Sequence, residues 1–194
     1  MTHGLTDSPF ALRDMARFFA AQGYYVLSMQ LPGHGGRPGD LLHFHWQDWL
    51  RAHQQALRLL KAHAQQIDLL GFSAGATLSL HQALRNPEVR GLYLFSPAIS
   101  VSSLARVAFP LRMLGRHWQR LAWFDVQPDS DCFKYESLTN NAIAEVYAMI
   151  QAMHRLKGLT ERRLPLFVAA SEQDSTLDSS ATLDWFSEQI GPRR

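Results

Sequence analysis

The chain has 194 residues, a single cysteine and a formal net charge of +2, from 19 basic and 17 acidic residues. At 46% hydrophobic and 19% charged, the composition is that of a globular domain with an ample core, which excludes a disordered or low-complexity protein. One cysteine, Cys132, excludes an internal disulfide framework and any cysteine-cluster metal site. No apolar run approaches the roughly 18 residues that a membrane span requires. Met1-Thr2-His3-Gly4 shows neither the basic nor the apolar region of a signal peptide, so the expectation is a cytoplasmic protein. The basic residues are mostly Arg and are scattered, with no stripe that would suggest nucleic-acid binding.

In chain order, a loop at His3-Gly4-Leu5-Thr6-Asp7 precedes a helix. Ser8 suits its N-cap and Pro9 its first turn; Leu12, Met15, Phe18 and Phe19 share a face, and Gly23 ends it. Tyr24 to Leu31 is rich in β-formers and reads as a buried strand, followed by the loop Pro32-Gly33-His34-Gly35-Gly36. Asp48 to Ala64 has helical periodicity, with Trp49, Leu50, His53, Leu57 and Leu60 on one side. Ile67 to Leu70 reads as a buried parallel strand, Ala74 to Leu84 as a helix stopping near Asn86-Pro87, and Gly91 to Phe95 as another buried strand.

From Ser96 to about Asn141 the alternation fails: no clean strand is legible, and Arg is mixed with bulky apolar residues. Asn141 to Leu156 resumes as a helix, Leu164 to Ala170 as a strand and Ser179 to Gln189 as a final helix. Alternating helices and strands predict an α/β protein with a mainly parallel sheet flanked by helices. The middle region, about 97–141, reads as an insertion because the pattern continues after it.

Gly71-Phe72-Ser73-Ala74-Gly75 lies between a predicted strand and a predicted helix. A sharp turn there strains Ser73 and exposes its hydroxyl, and small residues two positions either side let strand and helix approach. The helix start behind Ser73 offers backbone N–H groups, among them that of Ala74, to a developing oxyanion.

With these residues in place, the chain resembles the α/β-hydrolases, most closely bacterial carboxylesterases and monoacylglycerol-lipase-like serine hydrolases. The resemblance rests on His3-Gly4-Leu5-Thr6-Asp7-Ser8-Pro9, Leu31-Pro32-Gly33-His34-Gly35, Gly71 to Gly75, and Ala169-Ala170-Ser171-Glu172-Gln173-Asp174 with Leu177-Asp178. It implies an α/β-hydrolase fold with a cap insertion. It implies Ser73 as the nucleophile that forms an acyl-enzyme, Asp174 as the triad acid, and the N–H groups of Leu5 and Ala74 as the oxyanion hole. Gly71 and Gly75 complete the nucleophile elbow. The substrate would be a small-molecule carboxylic ester, an acyl ester or monoglyceride, with no cofactor, no metal and no nucleic acid.

Other carboxylates fit less well. Asp178 suits a capping or solvated role, and Asp129 and Asp131 suit turns. The family's triad runs Ser, acid, His, yet none of the nine histidines follows Asp174; the last is His154. His3 is expected to shape the oxyanion turn and His34 to hold a structural or rim position. His81 falls about 12 Å along its helix from Ser73. His43-x-His45 lacks a third metal ligand. Only two residues precede His3, where the family has a central strand. The expectation is an incomplete domain, lacking the first strands and the last, and weakly active or inactive as it stands.

Val107, Phe109, Leu111, Met113, Leu114, Trp118, Leu121, Trp123 and Phe124 in the insertion suit an acyl-chain pocket or the packing of a cap. Arg106, Arg112, Arg116 and Arg120 are interleaved with them, which leaves open a transient contact of the cap with an anionic membrane surface. Peptide, thioester or lactone cleavage, or a non-catalytic binding module, remain as alternatives. The oligomeric state is not legible.

Overall fold

A computed structural model describes residues 1–100, 104–128, 130–156, 164–171 and 179–190. The helices are α1 (Arg13–Ala21), α2 (Trp46–Lys61), α3 (Ala74–Arg85), α4 (Leu104–Gly115), α5 (Asn140–His154) and α6 (Ser179–Ile190). The strands are β1 (Ile67–Phe72), β2 (Val89–Phe95), β3 (Trp123–Asp125), β4 (Leu138–Thr139) and β5 (Leu166–Ala169). β1, β2 and β5 form a parallel sheet in the order β1-β2-β5, with Leu70 opposite Tyr93 and Tyr93 opposite Phe167. The expected mainly parallel sheet flanked by helices is present.

The free edge of β1 is extended by one residue. Thr2 bridges Gly71 on one side and Met29 on the other, both in parallel sense. Its N–H donates to Leu70 O at 2.9 Å, and Phe72 N–H donates to Thr2 O at 3.0 Å. This places the His3-Gly4 turn at the tip of β1, beside Ser73.

Tyr24 to Leu31 is not the buried strand expected. Its ladder consists of a few bonds with residues 1 and 2, such as Met29 N–H to Met1 O at 3.1 Å, and Tyr25 is 61% exposed. So short a ladder cannot sustain a regular strand, whatever its β propensity.

The helix expected after Ser8 is split. Pro9–Leu12 forms a 3₁₀ turn and α1 follows. Ser8 makes no capping bond, and its buried Oγ has no partner among the described residues. Of the face Leu12, Met15, Phe18, Phe19, only Leu12 is buried, and Phe18 is 61% exposed. α1 lies against the sheet face of Tyr93, with Phe19 and Tyr93 ring centroids 5.4 Å apart.

The opposite sheet face carries the main core. Ile67, Leu69, Leu92 and Leu94 pack with Ala76 and Leu80 of α3, Met153 of α5 and Phe186 of α6. A second cluster, with Leu31, Leu41, Trp49, Ala74, Leu78, Met149 and Ile150, lies under the strand tips and joins α2, α3 and α5. In α3 every residue from Ala74 to Ala83 is buried, so the helix behind Ser73 is fixed by packing on all sides.

The insertion holds α4, a 3₁₀ turn at Gln119–Ala122 and the antiparallel pair β3–β4, short strands that no sequence pattern revealed. Its apolar residues do not gather round an acyl pocket as expected. Val107, Phe109, Met113, Leu114, Trp118 and Phe124 are all exposed, so they form an outer surface of the cap. No helix among the described residues is long and apolar enough to cross a membrane.

Candidate active site

Ser73 occupies the junction of β1 and α3 with φ 52 and ψ −120, a conformation that costs a non-glycine residue about 1–3 kcal/mol. Its backbone is held on both sides. Ser73 N–H donates to Phe95 O at 2.9 Å, and Ser73 O accepts from Ala76 N–H at 3.0 Å and Thr77 N–H at 3.2 Å. Although Ser73 stands at the N-cap position, its side chain makes no capping bond, so the hydroxyl is left for other work.

The close approach explains the flanking glycines. A Cβ on Gly71 would run into the backbone of Gly75 and Ala76, and a Cβ on Gly75 into the carbonyls of Thr2 and His3. Gly75 therefore sets how closely α3 sits to the His3-Gly4-Leu5 turn, and Gly71 how closely it sits to β1.

A Cβ on Gly4 would lie 3.4 Å from Ser73 Cβ, which puts the His3-Gly4-Leu5 turn directly against the serine. Three successive carbonyls of this turn are held. His3 Nδ1 lies 2.8 Å from Gly4 O, His34 Nε2 lies 2.7 Å from Leu5 O, and Tyr135 N–H donates to Thr6 O at 2.7 Å. Because Gly4 O and the Leu5 N–H belong to one planar trans peptide, fixing the oxygen fixes the direction of the N–H. Neither Leu5 N–H nor Ala74 N–H has an acceptor among the described residues.

The tautomer of His3 follows from its partners. Leu31 N–H donates to Nε2 at 3.1 Å, so the ring proton is on Nδ1 and points to Gly4 O. Burial, and secondarily the proximity of His34, push its pKa down to about 4. His34, 4.8 Å from the His3 ring and itself buried, is also lowered, by desolvation. Both rings are neutral near pH 7 and serve as fixed hydrogen-bonding groups.

Tyr135 was not singled out by the sequence. It comes from the insertion, stacks on His34, accepts from Gly36 N–H at 2.9 Å and donates to Gly33 O at 3.1 Å. Nothing local marks it, because its partners lie about a hundred residues away along the chain.

A cleft of about 700 Å³ opens between the 3₁₀ turn, the start of α1 and the strand tips; Phe72 lines it, but Ser73 does not. Asp7, Met15, Phe72, Ser96, Lys134 and Ser171 are among its walls. Burial raises the Asp7 pKa, with Lys134 opposing. Ser96, at φ 40, is a second strained serine, tied by its N–H to Ala169 O at 2.7 Å. The chain leaves β5 at this cleft. Asp174, Asp178 and Asp129 lie outside the described residues. Asp131 accepts from Phe133 N–H at 2.7 Å, the turn role expected of it.

None of the nine histidines is hydrogen-bonded to Ser73 Oγ. His53 and His81 are buried, their pKa values pushed down by desolvation to about 3 and about 4. His154 Nε2 faces Ile99 O at 2.9 Å, and its ring stacks on Trp185. His45 Nδ1 lies 2.9 Å from Glu145 Oε1. No group of three or more His, Cys, Asp or Glu among the described residues is arranged to hold a metal.

Comparison with known proteins fits this geometry. The family described as serine aminopeptidase, S33, matches residues 1–194. A thermostable monoacylglycerol lipase of Bacillus sp. (strain H-257) is 26% identical over 175 residues, spanning 90% of this chain and 69% of the lipase. A solved structure from the metagenome-derived lipolytic enzymes LipS and LipT superposes with a TM-score of 0.79 at 21% identity, over 98% of this chain and 77% of its own. The monoacylglycerol lipase of Paleococcus ferrophilus superposes at 0.75 and 17% identity, over 99% and 79%.

Proposed function

The chain belongs to the serine aminopeptidase, S33, family of α/β-hydrolases, and from that premise we propose that it is a serine hydrolase of carboxylic esters, acting through an acyl-enzyme on Ser73. The observation that carries this reading is the strained Ser73 set against two backbone amides, of Leu5 and Ala74, that have no other acceptor among the described residues. Ser73 Oγ attacks the ester carbonyl, and the two N–H groups receive the charge that develops on its oxygen. The alcohol leaves, and water releases the acid from the acyl-enzyme. Asp174 is the acid of the triad in this reading. The monoacylglycerol lipases among the relatives make a monoglyceride-like acyl ester the preferred substrate class.

None of the nine histidines is hydrogen-bonded to Ser73 Oγ, which supports the reading that the proton acceptor is not among them. These 194 residues alone are therefore expected to turn over weakly or not at all, because loss of a triad histidine costs several orders of magnitude in kcat. The exposed Phe109, Met113 and Trp118 with Arg116 and Arg120 suit a transient contact of the cap with an anionic membrane surface.

The test is fluorophosphonate labelling with p-nitrophenyl ester turnover, on this chain and on one extended at both ends. Label on Ser73, lost in Ser73→Ala, is expected; an extended chain that neither labels nor turns over would overturn the enzyme reading and leave a binding module. The family's description favours peptide cleavage as the second reading. Aminoacyl p-nitroanilides in the same assay separate the two.

A further inference from the structure

A polar cavity of about 440 Å³ lies between the insertion and the segment before α2, and it shares no wall residue with the cleft at the strand tips. His43 and His45 approach from the segment before α2, Arg112, Arg116 and Gln119 from the end of α4 and the turn after it, and Asn141 from α5. No carboxylate lines it. We propose that this cavity is a binding site for a phosphate group.

The cavity is built rather than incidental. Glu145, 4% exposed, accepts from Arg112 Nη1, lies 2.9 Å from His45 Nδ1 and accepts Trp46 N–H at 3.0 Å. One buried carboxylate thus fixes the guanidinium and the imidazole from behind and leaves their other edges to the cavity. The Phe109 ring, 4.6 Å from Arg112 Cζ, supports the guanidinium from the side. Arg112 Nε is buried and has no partner among the described residues.

The charge balance favours an anion. Glu145 offsets Arg112, while Arg116 has neither an ion pair nor a hydrogen bond among the described residues. In the last turn of α4, Leu114 O accepts from His117 and Trp118 N–H, each at 3.0 Å. While the Asn141 amide N–H groups are taken up by Leu41 O and Phe44 O, the donors come from the segment before α2 and from α4 with the turn after it. That suits a tetrahedral group with three or four oxygens better than a planar carboxylate, which is met by one fork in one plane.

The phosphate could belong to a soluble monoester or to a lipid headgroup, and two arms separate these. In the first, inorganic phosphate and glycerol 3-phosphate are titrated into the full chain at constant ionic strength, followed by amide chemical shifts. Saturable shifts confined to the residues around this cavity, weakened about 10-fold or more by Arg116→Gln and by His43→Gln, are expected. In the second, the chain is sedimented with phosphatidylcholine vesicles with and without phosphatidate. Retention that needs phosphatidate and is lost in Arg116→Gln assigns a lipid headgroup; phosphate binding without retention assigns a soluble ligand. No saturable binding in either arm, or binding indifferent to both substitutions, would overturn the proposal. Neither arm requires hydrolysis, so the result stands apart from the fate of the ester-hydrolase reading.

Discussion

His34 Nε2 lies 2.7 Å from the carbonyl oxygen of Leu5, tying the Pro32–Gly36 loop to the turn that faces Ser73. With His3 on the Gly4 carbonyl, the peptide planes on both sides of Leu5 Cα are clamped by imidazoles. A donor amide clamped before substrate arrives needs no reorganisation when charge develops, which is where such groups gain their catalytic value.

Removing that clamp should slow chemistry more than it weakens binding. For the extended enzyme, His34→Ala is expected to lower kcat about 10-fold, less than the ~100-fold or more of losing an oxyanion donor outright. KM should change little, and His34→Gln, which keeps a donor, should recover part of the loss. Equal effects on kcat and KM, or no rescue by Gln, would assign His34 a purely structural role.

Tyr135→Phe deletes the hydroxyl that joins Gly33 O and Gly36 N–H but keeps the ring on His34. A loss of about 1–2 kcal/mol is expected. It would be read as a lower urea midpoint at unchanged slope.

Alanine at Gly75 places a Cβ against the Thr2 and His3 carbonyls, which are backbone and cannot swing away. Gly75→Ala is expected to destabilise by about 3 kcal/mol or more, or to lift α3 from the oxyanion turn. Gly23 is the control: its φ is 88 but nothing lies within 4 Å of an added Cβ, so Gly23→Ala should cost only about 1–2 kcal/mol. Thermal unfolding of the two variants side by side checks the contrast.

Acid should destabilise the fold in a defined window. His3, His53 and His81 have pKa values lowered from 6.5 to about 4, 3 and 4, so the unfolded chain takes up protons that the folded one refuses. Stability is fully present above about pH 6.5 and falls as pH drops toward 4. The slope is on the order of 1.4 kcal/mol per pH unit for each histidine. Below pH 4, His3 and His81 add no further loss. For His3, protonation would set an N–H at Nε2 against the Leu31 N–H, loosening the oxyanion turn before global unfolding. Denaturation midpoints at pH 7.5, 6, 5 and 4 test this, with His53→Gln expected to flatten the curve.

Glu145→Ala leaves the part-exposed Arg112 without its carboxylate and Trp46 N–H without its acceptor. A cost of about 1.5–3 kcal/mol is expected, that of losing hydrogen bonds to a charged group. Because Arg112 comes from α4 and Glu145 from α5, hydrogen exchange in α4 should rise before exchange in β1.

What the sequence alone determined lies within short stretches. Gly71 to Gly75 specifies a strand–turn–helix because a strained serine needs small residues on either side, and both glycines do abut backbone. Helical periodicity placed α2, α3 and α5 to within a few residues, since one apolar face is enough to define a helix. Tertiary structure decided everything that depends on a distant partner. Tyr24 to Leu31 has the composition of a strand but so short a ladder that no regular strand forms, and no local property reports the neighbour. Several apolar residues of the insertion face outward while Ala108 is buried and Arg112 pairs with Glu145 of α5, a choice that the alternation of Arg and apolar residues left open. The clamp of His3, His34 and Tyr135 on three successive carbonyls joins residues up to about 130 positions apart, and only folding brings their donors to one turn.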